Sequence, residues 1–242
     1  MHTQEPTPAI SVLHEGTAWF VVAKPAGVHS VAQRAGEAAT VESWLRATRP
    51  ELADLEECGL VHRLDFDTSG CLIVAKDAAT RERLRDAFSG RGGEIRKIYL
   101  ARVHGFFADR VMAGAFTLSF TSRHKGSSKV TVHTRGEPDT IGRCRWRVRS
   151  VRDETTLVEV ELLGPGRRHQ IRAGFAYEGH PLVGDALYGP RVDASEPHGA
   201  QLHAWRVEVD GTMVECPPPA WASEPARGSP PLGSSHSGSP PA

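Results

Sequence analysis

Five short runs in the middle of the chain are rich in Val, Ile, Thr and aromatic residues, and they constrain the fold most. Such residues favour β-strands, and their partial alternation with polar residues is typical of strands with one buried face. Segments of helical character stand on both sides of this block. We therefore predict an α+β protein built on a large, mainly antiparallel mixed sheet flanked by helices and loops. The five runs are 95–103, 116–120, 129–133, 144–150 and 156–163.

Three helices and three further strands complete the predicted secondary structure. A helix is expected at 40–48, where Thr40 is a suitable N-cap residue for the first turn. Asp77 can cap a second helix, because apolar residues after it recur at helical spacing. A third helix is expected at 167–177, after the break at Gly164-Pro165-Gly166. The further strands are predicted at 18–23, 71–75 and 201–209.

The composition separates a folded part of the chain from its two ends. Of the 242 residues 39% are hydrophobic, so the chain can bury a sizeable core. Residues 217–242 hold eight of the seventeen prolines with many Ser and Gly residues, and they have too little apolar surface to offset chain entropy. We predict an N-terminal extension at 1–10, a folded domain at 11–216 and a disordered tail at 217–242.

Cysteine usage and hydropathy predict a cytoplasmic protein. The four cysteines are scattered, without a CxxC spacing or a small disulfide framework, so we expect a reducing compartment and no structural zinc. The first residues lack a basic segment followed by an apolar one, and no stretch approaches about 18 uninterrupted apolar residues. We expect no membrane association.

Charge is balanced over the whole chain but not along it. The 29 Lys and Arg residues match 29 Asp and Glu residues, so net charge alone does not predict a nucleic-acid partner. The segment 123–152, however, holds nine Lys or Arg residues against Glu137 and Asp139. This composition fits a strip that faces RNA, and it fits exposed arginines on ordinary strands equally well.

The stretch 62–70 (HRLDFDTSG) has the strongest chemical character in the sequence. It places a cation, a carboxylate and several hydroxyls on a loop before a hydrophobic strand, and loops held by rigid strands often carry catalytic groups. The same residues also suit a turn, in which Asp67, Thr68 and Ser69 bond the local backbone and Gly70 supplies a permissive φ. Composition and spacing leave both interpretations open.

Two further stretches combine basic residues with an aromatic residue or a helix start. The segment 166–172 (GRRHQIR) begins a predicted helix, where backbone N–H groups and cations suit phosphate binding. A solvated basic face is the alternative. In 97–99 (KIY), strand alternation points Lys97 and Tyr99 to one face of the sheet. On this pattern alone, Tyr99 suits a half-buried position in the core.

Six motifs in the same order resemble those of the RluA family of pseudouridine synthases. Each motif is short, but their shared order argues against coincidence, and the resemblance as a whole extends from about residue 12 to about residue 209. The resemblance implies the pseudouridine synthase fold, with a catalytic cleft across the sheet. The motifs are KPAGVHS at 24–30, HRLDFDTSG at 62–70, KIY at 97–99, GRRHQIR at 166–172, GHPLVGDALYG at 179–189 and LHA at 202–204.

The resemblance also implies roles for individual residues. Asp65 takes the place of the family's catalytic aspartate, Tyr99 that of the tyrosine beside the target base, and Arg172 that of the basic residue that pairs with the aspartate. Arg63 matches an arginine that helps to fill the space left by the flipped base, and Ile171 is implied to be a wall of the pocket. The other implied substrate-binding residues are His62, Thr68, Ser69, Gly70, Arg167, His169 and Gln170.

These roles describe an enzyme that isomerises uridine in ribosomal or transfer RNA to pseudouridine. The reaction detaches uracil, turns it and joins its carbon 5 to the sugar without net oxidation, so no metal and no redox cofactor are implied. A stacked base is out of reach, so the uridine must flip out of its RNA stem-loop. We expect a monomer whose partner is RNA.

Three features depart from the family pattern. Phe66 stands where many relatives carry Arg or Lys, and Pro165 stands where a polar residue is common, so phosphate contacts near these two positions are not implied. The first motif begins at residue 24, which leaves no room for the small N-terminal RNA-binding domain of many relatives. RNA selection is therefore expected to rest on the catalytic domain.

Two other functions compete with this interpretation. The first is an RNA-binding or ribosome-assembly protein that keeps the fold without catalysis, although Asp65, Tyr99 and Arg172 are all present. The second is a metal-dependent hydrolase, which is suggested by the twelve histidines alone, since the sequence has no ligand spacing such as HExxH.

Overall fold

A mixed sheet of ten strands runs through the part of the chain that the computed structural model describes. The described residues are 9–32, 39–107, 111–122, 124, 126–190 and 199–223. The strands are β1 Ser11–Glu15, β2 Trp19–Lys24, β3 Ser69–Ala75, β4 Arg96–His104, β5 Ala113–Thr121, β6 Thr131–His133, β7 Ile141–Arg152, β8 Thr155–Leu163, β9 Leu202–Val209 and β10 Thr212–Glu215. Their order is β1-β2-β3-β9-β4-β8-β7-β5-β6, and β10 pairs with β9. The predicted α+β class and the mainly antiparallel mixed sheet are confirmed.

One short parallel pairing, between β3 and β9, joins the two halves of the sheet. Ser69 lies opposite His203 and Gly70 opposite Ala204. Gly70 has a φ of +117°, and a Cβ atom at this position would lie 2.2 Å from the Ala204 carbonyl oxygen. Glycine is therefore required where the 62–70 loop enters β3.

Three helices lie among the described residues, α1 Val41–Thr48, α2 Ala78–Phe88 and α3 Gln170–Tyr177. The two predicted N-caps are confirmed: the Thr40 hydroxyl accepts a hydrogen bond from the Ser43 amide at 3.0 Å, and the Asp77 carboxylate accepts one from the Thr80 amide at 2.8 Å. None of the helices in these ranges is long and apolar enough to cross a membrane.

The third helix begins later than predicted. The sequence placed its start at residue 167, whereas α3 begins at Gln170, because its N-cap residue His169 has a left-handed backbone with φ 53° and ψ 22°. Ile171 and Phe175 of α3 are buried in one cluster with Val158 and Val160 of β8. The helix is therefore packed on one face of the sheet, and the residues of its first turn are buried.

Strand pairing defines which side chains share each face of the sheet. Tyr99 of β4 pairs with Val160 of β8, which pairs with Trp146 of β7, so these three side chains point to the face covered by α3. The neighbouring set, Glu161 of β8 and Arg145 of β7, points to the opposite face. We call these the cleft face and the back face.

The folded chain extends beyond the domain boundary predicted at residue 216. Residues 217–223 cover the back face, where Ala222 is buried and the Trp221 carbonyl accepts a hydrogen bond from Arg102 Nε at 3.1 Å. The tail prediction is therefore wrong for these residues, whose Trp and Ala side chains pack despite the surrounding prolines. Residues 224–242, and residues 1–8 of the predicted extension, lie outside the described residues. Strands β1 and β10 were not predicted.

Candidate active site

A cleft of about 950 Å³ crosses the cleft face of the sheet. It lies between the 62–70 loop, strand β4 and the chain leading into α3. Asp65, Tyr99 and Arg172, the three residues with implied catalytic roles, all line it. The remaining implied residues that line it are His62, Arg63, Thr68, Arg167, His169, Gln170 and Ile171.

Arg172 links Asp65 to a second carboxylate that lies deeper in the protein. Its Nη1 atom is 3.0 Å from Asp65 Oδ2, while Nε and Nη2 form a two-pronged pair with Asp185 at 2.7 and 2.9 Å. The Asp185 side chain is fully buried, whereas that of Asp65 is 30% exposed. The guanidinium group is thus fixed from behind and presents one N–H group to the exposed carboxylate.

The positive charge of Arg172 favours an ionised Asp185. Burial by itself would raise the pKa of Asp185, but hydrogen bonds and charge from Arg172 outweigh burial and lower that pKa. Burial likewise opposes the charge of Arg172, and its two carboxylate neighbours raise its pKa above the ordinary value. Sequence reasoning gave Asp185 no role, although it lies in the quoted 179–189 motif, because its partner is visible only in the fold.

Tyr99 lies on the floor of the cleft close to Asp65. Burial is the main cause that raises the pKa of its hydroxyl, and the Asp65 charge adds to the effect. The tyrosine is therefore neutral at physiological pH and offers an aromatic ring and a hydroxyl. Lys97 also lines the cleft, so the prediction that Lys97 and Tyr99 share one face of the sheet is confirmed.

His62 supports the loop from behind. Its Nε2 atom accepts a hydrogen bond from the Ile73 amide at 3.2 Å, and its ring stacks on Phe88 at a centroid distance of 4.3 Å. Burial, with a smaller contribution from the Lys97 charge, lowers the pKa of His62 to about 3. The ring is therefore neutral and holds the loop on β3 and α2.

Ser69 and Gly70 are not among the residues that line the cleft. The Ser69 hydroxyl is 2.8 Å from His203 Nδ1, and His203 Nε2 is 3.2 Å from the Cys216 carbonyl oxygen. Since a carbonyl oxygen can only accept, Nε2 carries the proton and Nδ1 accepts from Ser69. Ser69 and Gly70 therefore hold the end of the 62–70 loop against β9 and do not face the cleft.

Lys24 is a further support of the loop that sequence reasoning missed, although it begins the first motif. Its buried Nζ atom donates to the carbonyl oxygens of Pro25, Val28 and Phe66 at 2.9, 2.5 and 3.1 Å. Burial lowers the pKa of Lys24 to about 8, against the opposing charges of Asp65 and Asp67. A buried charged lysine thus ties the 62–70 loop to the turn after β2.

The polar groups of the 166–172 segment are partly engaged by the protein itself. Arg167 Nε donates to the Ile141 carbonyl at 2.9 Å, and Gln170 Nε2 donates to the Arg143 carbonyl at 3.0 Å. Arg168 donates to the carbonyl oxygens of Ser127 and Ser128. The segment therefore joins α3 to neighbouring strands and loops while forming one wall of the cleft.

Positive charge is concentrated in the cleft. Among the described residues, seven Lys or Arg side chains line it against three carboxylates. Such an excess attracts a phosphate backbone. The cations are Arg63, Arg85, Arg91, Lys97, Arg167, Arg168 and Arg172.

The basic segment 123–152 does not extend this cleft along β7. Arg145, Arg147 and Arg149 lie on the back face, where they pair with Glu161 and Glu159 at 2.8 to 3.1 Å. We call these five residues the arginine ladder. Its arginines fit the second interpretation of the basic segment, exposed side chains on an ordinary strand, and do not form an RNA-facing strip beside the cleft.

Comparison with solved structures places the fold among the pseudouridylate synthases. Human RNA Pseudouridylate Synthase Domain Containing 4 superposes with a TM-score of 0.67 at 19% identity, over 87% of this chain and 89% of that one. Human RNA Pseudouridylate Synthase Domain Containing 1 superposes with a TM-score of 0.63 at 23% identity, over 89% of this chain and 86% of that one. At these identities the likeness establishes the fold.

Sequence comparison gives the family. The sequence model of RNA pseudouridylate synthase matches residues 18–177, about two thirds of the chain, and the chain belongs to this family. Ribosomal large subunit pseudouridine synthase C of Escherichia coli (strain K12) is 36% identical over 180 residues, 74% of this chain and 53% of that protein. Synthase D of Yersinia pestis is 33% identical over 183 residues, 75% of this chain and 53% of that protein. The resemblance to the RluA family is thus confirmed, and the chain spans little more than half the length of these relatives.

Proposed function

We propose that this chain is an RNA pseudouridine synthase that isomerises specific uridines in ribosomal or transfer RNA. The observation that carries the proposal is the Asp65 carboxylate, which lies 30% exposed in a cation-lined cleft and is held by Arg172 at 3.0 Å. The relatives named as ribosomal large subunit pseudouridine synthases support an RNA substrate. A cytoplasmic location and a monomeric state belong to the same proposal.

The cleft suits a uridine that has left its helix. Extracting a base costs a few kcal/mol of lost stacking, and the Tyr99 ring on the floor of the cleft offers a surface on which uracil can stack. Arg63 is exposed and lines the cleft, which supports a role in filling the space that the base vacates. The lining cations contact the flanking phosphates.

Asp65 supplies the reactive group. Its carboxylate can attack the anomeric carbon or carbon 6 of the ring, or remove a proton from the sugar, and each route cleaves the bond between the sugar and nitrogen 1 with its electron pair passing to uracil. After uracil turns, carbon 5 bonds to the anomeric carbon. The bond that Asp65 made to the sugar or to carbon 6 breaks, or, in the route through the sugar, the removed proton returns to the sugar, so that the free carboxylate is regenerated. Carbon 5 then loses its proton and nitrogen 1 gains one, so that the product is an isomer of the substrate.

Arg172 and Asp185 keep Asp65 ready for this step. A carboxylate must be ionised to act as a nucleophile or base, and a fixed guanidinium favours the ionised form. Because the Asp185 carboxylate accepts hydrogen bonds from both Nε and Nη2 of Arg172, the guanidinium cannot turn away when substrate enters. The reaction requires no added cofactor.

Release of tritium tests the proposal. Ribosomal and transfer RNA of the source organism, transcribed with uridine tritiated at carbon 5, would be incubated with the purified protein. We expect tritium to enter water and an equal amount of pseudouridine to appear in nuclease digests of one of the two RNA classes. RNA that binds to the cleft but is not isomerised would instead support the catalytically inactive, ribosome-assembly alternative.

A further inference from the structure

His169 lies between Asp65 and a tyrosine that no motif assigned a role. Its Nδ1 atom is 2.8 Å from the Tyr188 hydroxyl, and its Nε2 atom is 3.8 Å from Asp65 Oδ2. The side chain of His169 is 10% exposed. The imidazole therefore lies between the half-buried Tyr188 hydroxyl and the partly exposed Asp65 carboxylate of the cleft.

The hydrogen bonds around Tyr188 favour one tautomer of this imidazole. The Val130 amide donates to the Tyr188 hydroxyl oxygen at 2.9 Å, and the hydroxyl makes full use of its donor when its proton is donated to His169 Nδ1 at 2.8 Å. A neutral ring that accepts at Nδ1 carries its proton on Nε2. That N–H group points toward the Asp65 carboxylate.

The charges that face His169 are consistent with a neutral ring. Burial is the largest influence and lowers its pKa, which the Arg172 and Arg168 charges also lower. The Asp65 and Asp185 charges oppose them. Lys129 faces the other side of the same site, with its Nζ atom 6.0 Å from the Tyr188 ring.

The backbone of His169 is strained to place the ring there. Its φ of 53° lies in the left-handed region, which is unfavourable for residues other than glycine. His169 occupies the N-cap position of α3, yet its side chain makes no capping hydrogen bond and turns into the cleft. The sequence thus retains a side chain where glycine would relieve the strain.

We propose that His169 is a positioning residue for Asp65, oriented by Tyr188, whose Nε2–H group holds Oδ2 together with Arg172. Both partners approach the same oxygen, so neither occupies Oδ1, which is left to react with the uridine. The gap of 3.8 Å closes to a hydrogen bond when bound RNA excludes water from the cleft. This inference rests on the proposed function.

His169→Gly separates positioning from folding. Glycine accepts the left-handed backbone, so we expect the melting temperature and RNA affinity to be kept or to rise. The single-turnover rate should fall about tenfold to a hundredfold, the scale of misplacing a reacting group by about 1 Å. Added imidazole should restore part of that rate. Asp153→Gly, at another left-handed residue outside the cleft, is the matched control and should leave the rate unchanged.

Tyr188→Phe tests the orienting hydroxyl. It should lower the rate in the parent and cause no further fall in the His169→Gly background, because both changes break the same chain of hydrogen bonds. A full rate in His169→Gly, or additive losses in the double variant, would overturn the inference.

Nitrogen NMR tests the same claim without turnover, so a failure of the proposed function is distinguishable from a failure of this inference. The ¹⁵N signals of His169, assigned by their loss in His169→Gly, should report a proton on Nε2 in the parent and a change of tautomer or exchange in Tyr188→Phe. A proton on Nδ1 in the parent would contradict the assigned role.

Discussion

The two faces of the central sheet use the same kinds of charged residue in different ways. On the back face, the Arg145 and Arg147 side chains of the ladder are each 60% exposed and pair with glutamates across neighbouring strands. On the cleft face, Arg172 is 8% exposed and joins a fully buried carboxylate to one at the surface. Pairing in water contributes little to stability, whereas removing one partner of a desolvated pair is costly.

The comparison also shows why a local excess of arginine is a poor guide to a binding surface. The β7 arginines alternate along the strand, so they share the face that is turned away from the cleft. The cations that do line the cleft come from distant parts of the sequence, among them Arg63, Arg91 and Arg168. Whether a charged side chain lies in the cleft depends on the face of the sheet to which it points, and not on the number of charged residues in that stretch of the chain.

Arg172→Met should have the largest effect on stability. It leaves Asp185 buried without its cation, and removing one partner of a buried pair costs about 3 to 5 kcal/mol. The family resemblance implied only the pairing of Arg172 with Asp65, whereas its fully buried partner is Asp185. Urea unfolding measures the change, and Arg147→Met on the back face is the control, with an expected change below about 1 kcal/mol. Equal losses of unfolding free energy in both variants would contradict the difference between the buried ion pair of the cleft face and the exposed pairs of the back face.

Acid should destabilise the protein partly through His62 behind the cleft. Its pKa is about 3 in the folded protein against an ordinary 6.5, so between these values the unfolded chain binds a proton that the folded one does not. Stability supplied by the neutral ring is therefore present above pH 6.5 and is lost as the pH falls toward 3. In His62→Gln, the free energy of unfolding should decline less steeply over this range. If the free energy of unfolding declined equally steeply with falling pH in His62→Gln and in the parent, His62 would not be the group that binds a proton on unfolding.

RNA binding should distinguish the faces directly. Arg91→Ala, at an exposed cation that lines the cleft, should reduce the slope of log affinity against log salt concentration by about 0.7 to 0.9, the loss of one phosphate contact. The double change Arg145→Ala/Arg147→Ala should leave the slope unchanged. Fluorescence anisotropy with a labelled RNA stem-loop measures both. A larger effect of the ladder variant would move the RNA-binding surface to the back face.

Phe66→Arg should produce the smallest change. Phe66 is 45% exposed at the rim of the cleft, with its ring 4.6 Å from that of His29. An arginine there can reach a phosphate, so the salt slope should steepen by up to about one contact. Stability should stay nearly constant because the ring is largely exposed. No change in slope would place the RNA backbone away from this part of the rim.

Local sequence patterns predicted most strands, the two helix caps and the shared face of Lys97 and Tyr99, because these depend on neighbours within a few residues. They missed features that depend on distant partners. The late start of α3 follows from the contacts of His169 with Tyr188 and Asp65, and the folded segment 217–223 is held by Arg102, more than a hundred residues earlier. The motif order brought together Asp65, Tyr99 and Arg172, but the partnership of Arg172 with Asp185 required the fold.

Pseudouridine formation by Asp65→Asn and Asp67→Asn tests the central claim most directly. Both residues line the cleft on the same loop, and Asn preserves the size and much of the hydrogen bonding of Asp. We predict that Asp65→Asn folds, binds RNA as tightly as the parent and forms no detectable pseudouridine, because the reactive carboxylate is gone. Asp67→Asn should keep substantial activity. If both variants stay active, or if Asp65→Asn loses activity only in step with its circular dichroism signal, then Asp65 is structural and the proposed mechanism is wrong.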